Sequence, residues 1–467
     1  MEKNYKNYFK YYLISISVFA FIWLYLKHGV GNDSTISEWI INYQGGFTRR
    51  GLPGEIAFHI AQIFDLKLRF VILLMQIFFY GLYLILIYKF FQKIKINGII
   101  LFSLFTPIFL IYHIAELEVL ARKELFLFIG YIWFYNISSK DSKTTNSILW
   151  IIFILPLISI LYEPAIFYYT FFAATVLLKM KNENLIKIFI VIFLIFIPSI
   201  IVSYYSAFHI ISKDGFEIMK SSLMNNFGEA CYMSCGLMDT KREAIVHIKA
   251  TISKLTEKEF SVYAYLFRYF LIMLIGSAPL LLLIKNSELN KKIFNFKKLV
   301  LIFIILNIFV PIHWLMFIDW GRAVNITYVS SLLFFFYLLK NDFININFKI
   351  IDENIFKITN NLQKILKMKT TNFFLKIMVV LARWSFSMET HGLLIFLMPR
   401  SVSILVAQNQ IYTLIKQLKC ILPQLTGLRT MKYYLPGQRK LQVHGLSQLK
   451  SLKYQSQINH LRYTPTR

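Results

Sequence analysis

Ten apolar runs constrain this chain more than any other feature of its sequence. Most have 17 or more residues, which is close to the roughly 20 that a helix needs to cross about 30 Å of hydrocarbon. They lack the alternation of polar and apolar residues that membrane strands require. We therefore predict ten membrane helices, at 11–27, 68–91, 98–114, 125–138, 147–162, 165–180, 185–206, 264–284, 299–317 and 324–340.

The composition agrees with this class. Hydrophobic residues make up 57% of the 467 residues and charged residues only 16%, whereas a soluble domain has about 25% charged residues. No small-residue cleavage site follows the first run, so we expect that run to remain in the protein as a helix. The predicted fold class is an all-α, polytopic integral membrane protein, with residues 1–340 as its transmembrane domain.

The lysines predict which loops face inward. The net charge is +27, and we attribute it to anionic lipid headgroups and to orientation in the membrane rather than to nucleic acid. With a basic, cytoplasmic N-terminus, every second loop carries lysines without conflict, so both ends are predicted to be inside. The two long outer loops are then 28–67 and 207–263. Within the first, 55–65 has helical spacing of apolar residues and is a candidate interfacial helix.

Residues 341–467 are predicted to form a basic cytoplasmic tail without a catalytic role. From Met378 onward the composition changes abruptly, and Glu389 is the last acidic residue. Two interpretations stay open, a tail on anionic lipid and an out-of-frame terminus after a nucleotide insertion or deletion; we favour the second. Removal of the chain after about residue 377 is expected to leave activity intact.

Two cysteines share the second long outer loop. Cys231 and Cys235 either form a disulfide in an oxidising periplasm or remain two thiols one helical turn apart. No Cys/His arrangement has the spacing of a zinc site, and we expect no metal.

The compact polar clusters of the chain all fall on predicted outer loops. They are QGGFTRRGLPGE (Gln44–Glu55), ELEVLARKE (Glu116–Glu124), YEP (Tyr162–Pro164) and HWLMFIDWGR (His313–Arg322). Ionisable residues at membrane depth are costly and suggest function. The pattern predicts one polar site at the extracytoplasmic face.

Adjacent arginines lie inside a glycine-rich turn of the first cluster. Arg49 and Arg50 are flanked by Gly45, Gly46 and Gly51, which permit tight turns. Guanidinium groups hold phosphate with paired donors, so these two residues are predicted to bind the pyrophosphate of a lipid-linked substrate. The alternatives are phospholipid headgroup binding and a topology anchor.

The second cluster has two interpretations. Arg122 and Lys123 can add to a phosphate-binding field. Alternatively, Glu116, Glu118 and Glu124 pair with these cations and seal two helix ends.

Carboxylates supply the candidate general bases. Glu163 is either a base or a partner of Arg49 or Arg50. Asp33 and Glu38, in the first outer loop, are further candidates for the base.

The last cluster has a binding interpretation and a structural one. In the first, Trp320 stacks on a sugar ring, Arg322 holds phosphate or carboxylate, and Asp319 binds hydroxyls or acts as the base. In the second, Asp319 and Arg322 simply pair.

Several motifs are missing. The sequence has no GxxxxGK[ST] phosphate loop, no dinucleotide fingerprint and no GxSxG elbow, so neither cytoplasmic ATP nor a cofactor is expected.

Taken together, these features resemble the multi-pass membrane proteins of surface-polysaccharide gene clusters, above all the O-antigen polymerase type. The resemblance is carried by GGFTRRGLPG and the later DWGR, and it covers about residues 1–340. The outer loops of the polymerase–ligase family contain an arginine followed, ten residues later, by a glycine, and this pattern is missing here. It implies metal-independent transfer of a glycan from undecaprenyl pyrophosphate to a second lipid-linked unit. It also implies the bacterial inner membrane and, as a partner, a chain-length regulator. A C-type glycosyltransferase with a lipid-monophosphate donor, a lipid-linked oligosaccharide flippase and an accessory membrane protein remain alternatives.

Overall fold

Long apolar helices dominate the computed structural model, which describes residues 2–30, 34–116, 118–239, 248–249, 252–253, 262–290, 299–316 and 319–346. Asp33 and all residues after 346 lie outside the described residues, and so do the predictions made for them. The α-helices are numbered in chain order as α1 Glu2–Val30, α2 Ser34–Trp39, α3 Leu52–Ile63, α4 Leu68–Gln92, α5 Gly98–Phe105, α6 Leu110–Ala115, α7 Glu124–Ile137, α8 Thr144–Leu161, α9 Tyr169–Lys179, α10 Leu185–Phe208, α11 Lys213–Phe227, α12 Val262–Lys285, α13 Leu299–Leu306, α14 Val310–Met316 and α15 Trp320–Lys340. The 3-10 helices are Glu163–Tyr168 and Gly236–Asp239, and the strands are β1 Ser287–Leu289 and β2 Ile344–Ile346.

All ten predicted spans fall on helical structure. In the described part of the chain, seven segments are long and apolar enough to cross a membrane: Tyr5–Gly29, Leu68–Gln92, Gly98–Ala115, Thr144–Leu161, Leu185–Phe208, Leu299–Met316 and Trp320–Lys340. The spans predicted at 125–138, 165–180 and 264–284 coincide with shorter apolar helical stretches. The helical, multi-pass class is therefore confirmed, whereas ten crossings remain a prediction.

Helix α15 occupies the centre of the bundle. Nearly all its side chains are buried, including the polar Asn325, Thr327 and Ser330. Helices α1 and α10 instead expose rows of aromatic and branched aliphatic side chains. Exposed apolar side chains in such numbers are favourable only in a nonpolar solvent. Helices α1 and α10 therefore have the character of lipid-facing helices.

The span at 98–115 is broken in its middle, and α15 compensates for the break. Residues 106–109 separate α5 from α6, and Pro107 among them cannot donate a helical hydrogen bond. The Asn325 side-chain amide donates to the carbonyls of Ile108 (2.9 Å) and Phe109 (3.1 Å). In a membrane such carbonyls have no water to bond, so a buried polar side chain from the neighbouring helix stabilises the break.

The two long predicted outer loops fold against each other. Helices α2 and α3 of the first loop and α11 of the second share a small apolar core, and we call this assembly the cap. The predicted helix at 55–65 is confirmed as α3, which buries Ala57, Phe58 and Ala61 and exposes Ile56 and Ile63. The two loops are also long enough to form small folded elements, and α2 and α11 are such elements.

The predicted inner loops meet at the other end of the bundle. Lys179 Nζ donates to the Ser139 carbonyl (2.6 Å), and the Lys140 backbone N–H donates to Asn341 Oδ1 (2.6 Å). Strand β2 pairs antiparallel with β1, so residues 344–346, within the predicted tail, are part of the folded bundle. With a rise of 1.5 Å per residue, α15 separates this end from the predicted outer end by roughly 30 Å.

Candidate functional site

The centre of the charged site is Glu38, at the penultimate position of α2. Its carboxylate accepts from Arg50 Nη1 at 2.7 Å and from Arg122 Nε at 2.9 Å. Its backbone carbonyl accepts from Lys123 Nζ at 2.8 Å. Glu38 is completely buried, and three cations from two predicted outer loops therefore converge on one acid.

Arg50 joins Glu38 to a third outer loop. Its Nε and Nη2 atoms donate to the two carboxylate oxygens of Glu163, each at 2.7 Å. The guanidinium also lies over the ring of Tyr162, 5.4 Å from the centroid. Arg50 has a φ of 60°, a left-handed conformation that is uncommon outside glycine. Lys123 Nζ donates to the Arg50 carbonyl and thereby holds this turn.

The turn between α6 and α7 supplies Arg122 and Lys123. Ala121, just before them, has a φ of 55°, and its carbonyl accepts from Trp39 Nε1 at 3.1 Å. Trp39 is the last residue of α2. The tryptophan thus fixes the turn on the helix that carries Glu38.

Arg322 and Glu124 bring the fifth predicted outer loop into the site. Arg322 donates from Nε (3.1 Å) and Nη2 (2.7 Å) to the two oxygens of Glu124. Asp319 is the N-cap of α15 and accepts from the Arg322 backbone N–H at 3.5 Å. Its carboxylate lies 3.7 Å from Arg322 Nη1 and its side chain is 46% exposed. We call the residues Glu38, Arg50, Arg122, Lys123, Glu124, Glu163 and Arg322 the ion cluster, and Asp319 lies at its exposed edge.

The surroundings shift the pKa values of the acids in the ion cluster. Burial alone would raise the pKa of Glu38, but the charges of Arg122 and Arg50 outweigh it and hold this pKa far below its usual range. Burial is likewise outweighed at Glu163, where Arg50 lowers the pKa. Both acids are therefore carboxylates, and Glu163 is a weak base in this arrangement.

Lys123 shows the opposite balance. Burial lowers its pKa to about 7, against the smaller raising effect of Glu38. An amine that titrates near neutral pH inside a charged cluster is typical of functional sites, although structural networks shift pKa values too.

Close backbone contacts fix the arginine turn in the cap. A Cβ on Gly45 would lie 1.7 Å from the Gly215 carbonyl oxygen in α11, and one on Gly54 would lie 1.9 Å from the Ile41 carbonyl oxygen. Glu55 accepts from the Tyr43 backbone N–H at 2.7 Å. These glycines therefore serve close packing of the loop, beyond the tight turns predicted from the sequence.

The cysteine pair is a disulfide, which decides between the two alternatives left open by the sequence. Inside its loop, the Ser234 backbone N–H donates to Ser37 Oγ at 3.1 Å. Arg69 at the start of α4 donates to Glu229 at 2.7 Å. The cysteine loop thus packs directly on α2, one residue away from Glu38.

The structure brings most of the predicted site residues together. Arg50, Arg122, Arg322 and Glu163 belong to the ion cluster, and Arg49 is close enough to lower the pKa of Glu163. The sequence left two interpretations of the Glu116–Glu124 segment, and in the described residues Lys123 of this segment donates to the carbonyls of Glu38 and Arg50 in the first long loop. Arg122 pairs with Glu38.

Trp320 differs most from its predicted use. Its side chain is buried, and Nε1 donates to the Trp314 carbonyl at 2.8 Å. The two indole rings stack with centroids 5.9 Å apart. In this conformation Trp320 packs inside the protein, and its stacking on a sugar stays a prediction.

Sequence reasoning gave too little weight to Glu38 and missed the partner of Glu124. Glu38 was only a further candidate for the base, yet it organises the ion cluster. One available signal was its position in STISEW, a short stretch in which the acid directly precedes a tryptophan. No spacing rule connects Glu124 to Arg322, which is 198 residues away.

Comparisons with protein-family models, curated proteins and solved structures find no match for this chain. Within the described residues, no group of three or more His, Cys, Asp or Glu side chains is placed to hold a metal ion.

Proposed function

We propose that this protein polymerises the undecaprenyl-pyrophosphate-linked oligosaccharide repeat units of a surface polysaccharide at the extracytoplasmic face of a bacterial inner membrane. One observation carries the proposal. Charged residues from four predicted outer loops form a single buried cluster at one end of an apolar helical bundle. Enzymes that join lipid-linked units need such a polar site next to the hydrocarbon, where the lipid tail stays between helices.

Arg50 is suited to hold the diphosphate leaving group. Three bonds to Glu38 and Glu163 fix its guanidinium, and of its five N–H donors they leave two for a ligand. A donor group fixed before the reaction stabilises developing charge without reorganisation. Arg49 and Arg322 are further guanidinium groups near this position, and Arg122 helps to position Glu38.

Of the predicted bases that the structure describes, Asp319 is the best placed. Both carboxylate oxygens of Glu163 accept hydrogen bonds from Arg50 Nε and Nη2, whereas the Asp319 side chain is about half exposed at the edge of the ion cluster. A carboxylate there can accept the proton of an attacking sugar hydroxyl while the glycosidic bond to the diphosphate breaks. The hydroxyl oxygen forms the new glycosidic bond to the anomeric carbon, the proton goes to Asp319, and the diphosphate leaves with the electron pair of the broken bond. Membrane lipids and a chain-length regulator are the expected partners.

The position of Glu38 favours a second candidate, a C-type glycosyltransferase that uses a lipid-monophosphate sugar donor. That layout places its acidic residue in the first outer loop. Glu38 comes from this loop and lies at the centre of the ion cluster.

The glycans of a deletion strain of the source bacterium test the proposal. A polymerase deletion should leave the surface lipid with a single complete repeat unit, and the wild-type gene should restore the long chains. A shortened repeat unit would replace the proposal with the C-type candidate. Complete repeat units that accumulate on the carrier at the inner face would replace it with a flippase, and unchanged long chains would reject all three.

A further inference from the structure

A second polar cluster lies inside the bundle, below the ion cluster. Gln76, Tyr80 and Tyr83 follow one face of α4, because positions three, four and seven residues apart share a side of a helix. His113 of α6 faces them. The centroids of its ring and the Tyr80 ring are 5.9 Å apart, and those of the Tyr80 and Tyr83 rings are 6.3 Å apart.

Polar atoms of this cluster have no protein partner. Within the described part of the chain, Gln76 Oε1, the Tyr80 and Tyr83 hydroxyls and His113 Nδ1 are buried and accept or donate no hydrogen bond. The Tyr12 hydroxyl, on the neighbouring α1, shares this condition. Several other buried tyrosines of the bundle have protein partners, although Tyr135 of α7 does not. Tyr131 donates to the Tyr168 carbonyl at 3.0 Å, and Tyr328 donates to the Ser103 carbonyl at 2.7 Å.

The chemistry of the unpartnered atoms defines which ligand could bond them. His113 Nε2 donates to Asn325 Oδ1 at 3.1 Å, so Nδ1 of the neutral ring is an acceptor. Gln76 Oε1 is also an acceptor, and each tyrosine hydroxyl both donates and accepts. A ligand that satisfies all of them must both donate and accept hydrogen bonds. Water has these properties, and buried waters typically take two to four such partners.

We propose that Gln76, Tyr80, Tyr83 and His113 bind a small cluster of ordered water molecules inside the membrane-embedded core. The cluster continues to the ion cluster, because Gln76 Nε2 donates to the Ala121 carbonyl at 3.5 Å, and Ala121 directly precedes Arg122. The waters would thus complete a hydrogen-bonded path from Asn325 of the central helix to the turn that carries Arg122 and Lys123. This site does not depend on the proposed function.

X-ray radiolysis of the full-length protein in lipid nanodiscs tests the proposal. Hydroxyl radicals formed from water inside a protein oxidise the side chains that this water touches. Mass spectrometry should find several-fold more oxidation at Tyr80 and Tyr83 than at Tyr131 and Tyr328, which are also buried but have protein partners. Oxidation no greater than at these controls overturns the proposal, whether all four are modified or none.

A variant pair gives an independent readout. Tyr83→Phe removes a hydroxyl that has no protein partner, so a dry core should gain stability or stay unchanged. A hydrated core loses a water ligand, and we expect a lower unfolding temperature together with reduced oxidation at Tyr80. An unfolding temperature equal to or above that of the wild type would overturn the proposal.

Discussion

Arg50 bridges two acids that are buried with it. It makes two bonds to Glu163 and one to Glu38. The desolvation free energy of three buried charges exceeds the stabilisation that most single contacts provide. The arrangement is therefore stable only while all three members are present. A site of this kind tolerates few substitutions.

We expect Arg50→Lys to fail nearly as badly as Arg50→Ala. Lysine retains the charge but loses the planar fork that bonds both oxygens of Glu163, and breaking a buried pair costs about 3–5 kcal/mol. The measurement is thermal unfolding in detergent together with polysaccharide chain length at matched protein level. Arg69→Lys is the control, because Arg69 pairs with Glu229 outside the ion cluster. An Arg50→Lys variant as stable and active as wild type would remove Arg50 from the proposed site.

Lys123 should make stability depend on pH. Its pKa is about 7 in the folded protein and near the usual 10.4 in the unfolded chain, so the unfolded state binds more protons between these values. The contribution of Lys123 to stability is therefore present above about pH 10.4 and is lost as pH falls towards 7.

Unfolding temperatures of the wild type and of Lys123→Met, measured from pH 6 to pH 10, test this. The wild type should gain stability relative to Lys123→Met as pH rises above 7. A difference that is constant across this range, or one that shrinks, would contradict the lowered pKa.

At the scale of helices and loops, contacts between the two long predicted outer loops position the ion cluster. The cysteine loop bonds to Ser37 of α2, and Gly45 touches Gly215 of α11. Helix α2 carries Glu38 between these contacts. A change in the cap should therefore reach the ion cluster although it leaves every charge in place.

Gly45→Ala tests this dependence. Its Cβ would overlap the Gly215 carbonyl, and such overpacking typically costs about 1–3 kcal/mol. We expect a lower unfolding temperature and faster proteolysis of the cap. Gly29→Ala is the matched control, because no atom lies within 4 Å of the added Cβ. Equal behaviour of the two variants would show that the loops do not pack as described.

At the scale of the whole molecule, the bundle has two chemically different ends. The ion cluster lies at one end, and the lysine loops around Ser139 and Asn341 lie at the other. The assignment of outside to the ion cluster rests on the lysine distribution.

Labelling of single cysteines checks this orientation. Gln62 and Asn182 are exposed residues near the two ends. With Cys420 replaced by serine, Gln62→Cys should react with a membrane-impermeant maleimide in intact spheroplasts, and Asn182→Cys only after permeabilisation. The reverse pattern would invert the topology and move the ion cluster to the cytoplasm.

The sequence predicted the elements better than the site. All ten apolar runs are helical because hydrophobicity and backbone hydrogen bonding are local properties in a membrane. The gathering of the polar clusters at one place was also predictable from the sequence, and the structure joins all four of them; their outward orientation stays a prediction. The ion pairs could not be predicted from the sequence, because Arg50 and Glu163 are 113 residues apart and several acids were equally plausible partners of Arg50. The burial of Trp320 depends on its contact with Trp314, which no periodicity in the sequence indicates.

The central claim is that the ion cluster and its edge form a site for joining lipid-linked glycan units, and Asp319→Asn tests it most directly. Asparagine caps a helix as well as aspartate does, so α15 and the unfolding temperature should be unchanged, while the loss of a general base typically costs about 10²–10⁴-fold in rate. Polysaccharide from a deletion strain complemented with this variant should collapse to single repeat units on a gel. Glu183→Gln, at the opposite end of the bundle, should give the full ladder. A full ladder from Asp319→Asn at matched protein level would contradict the account.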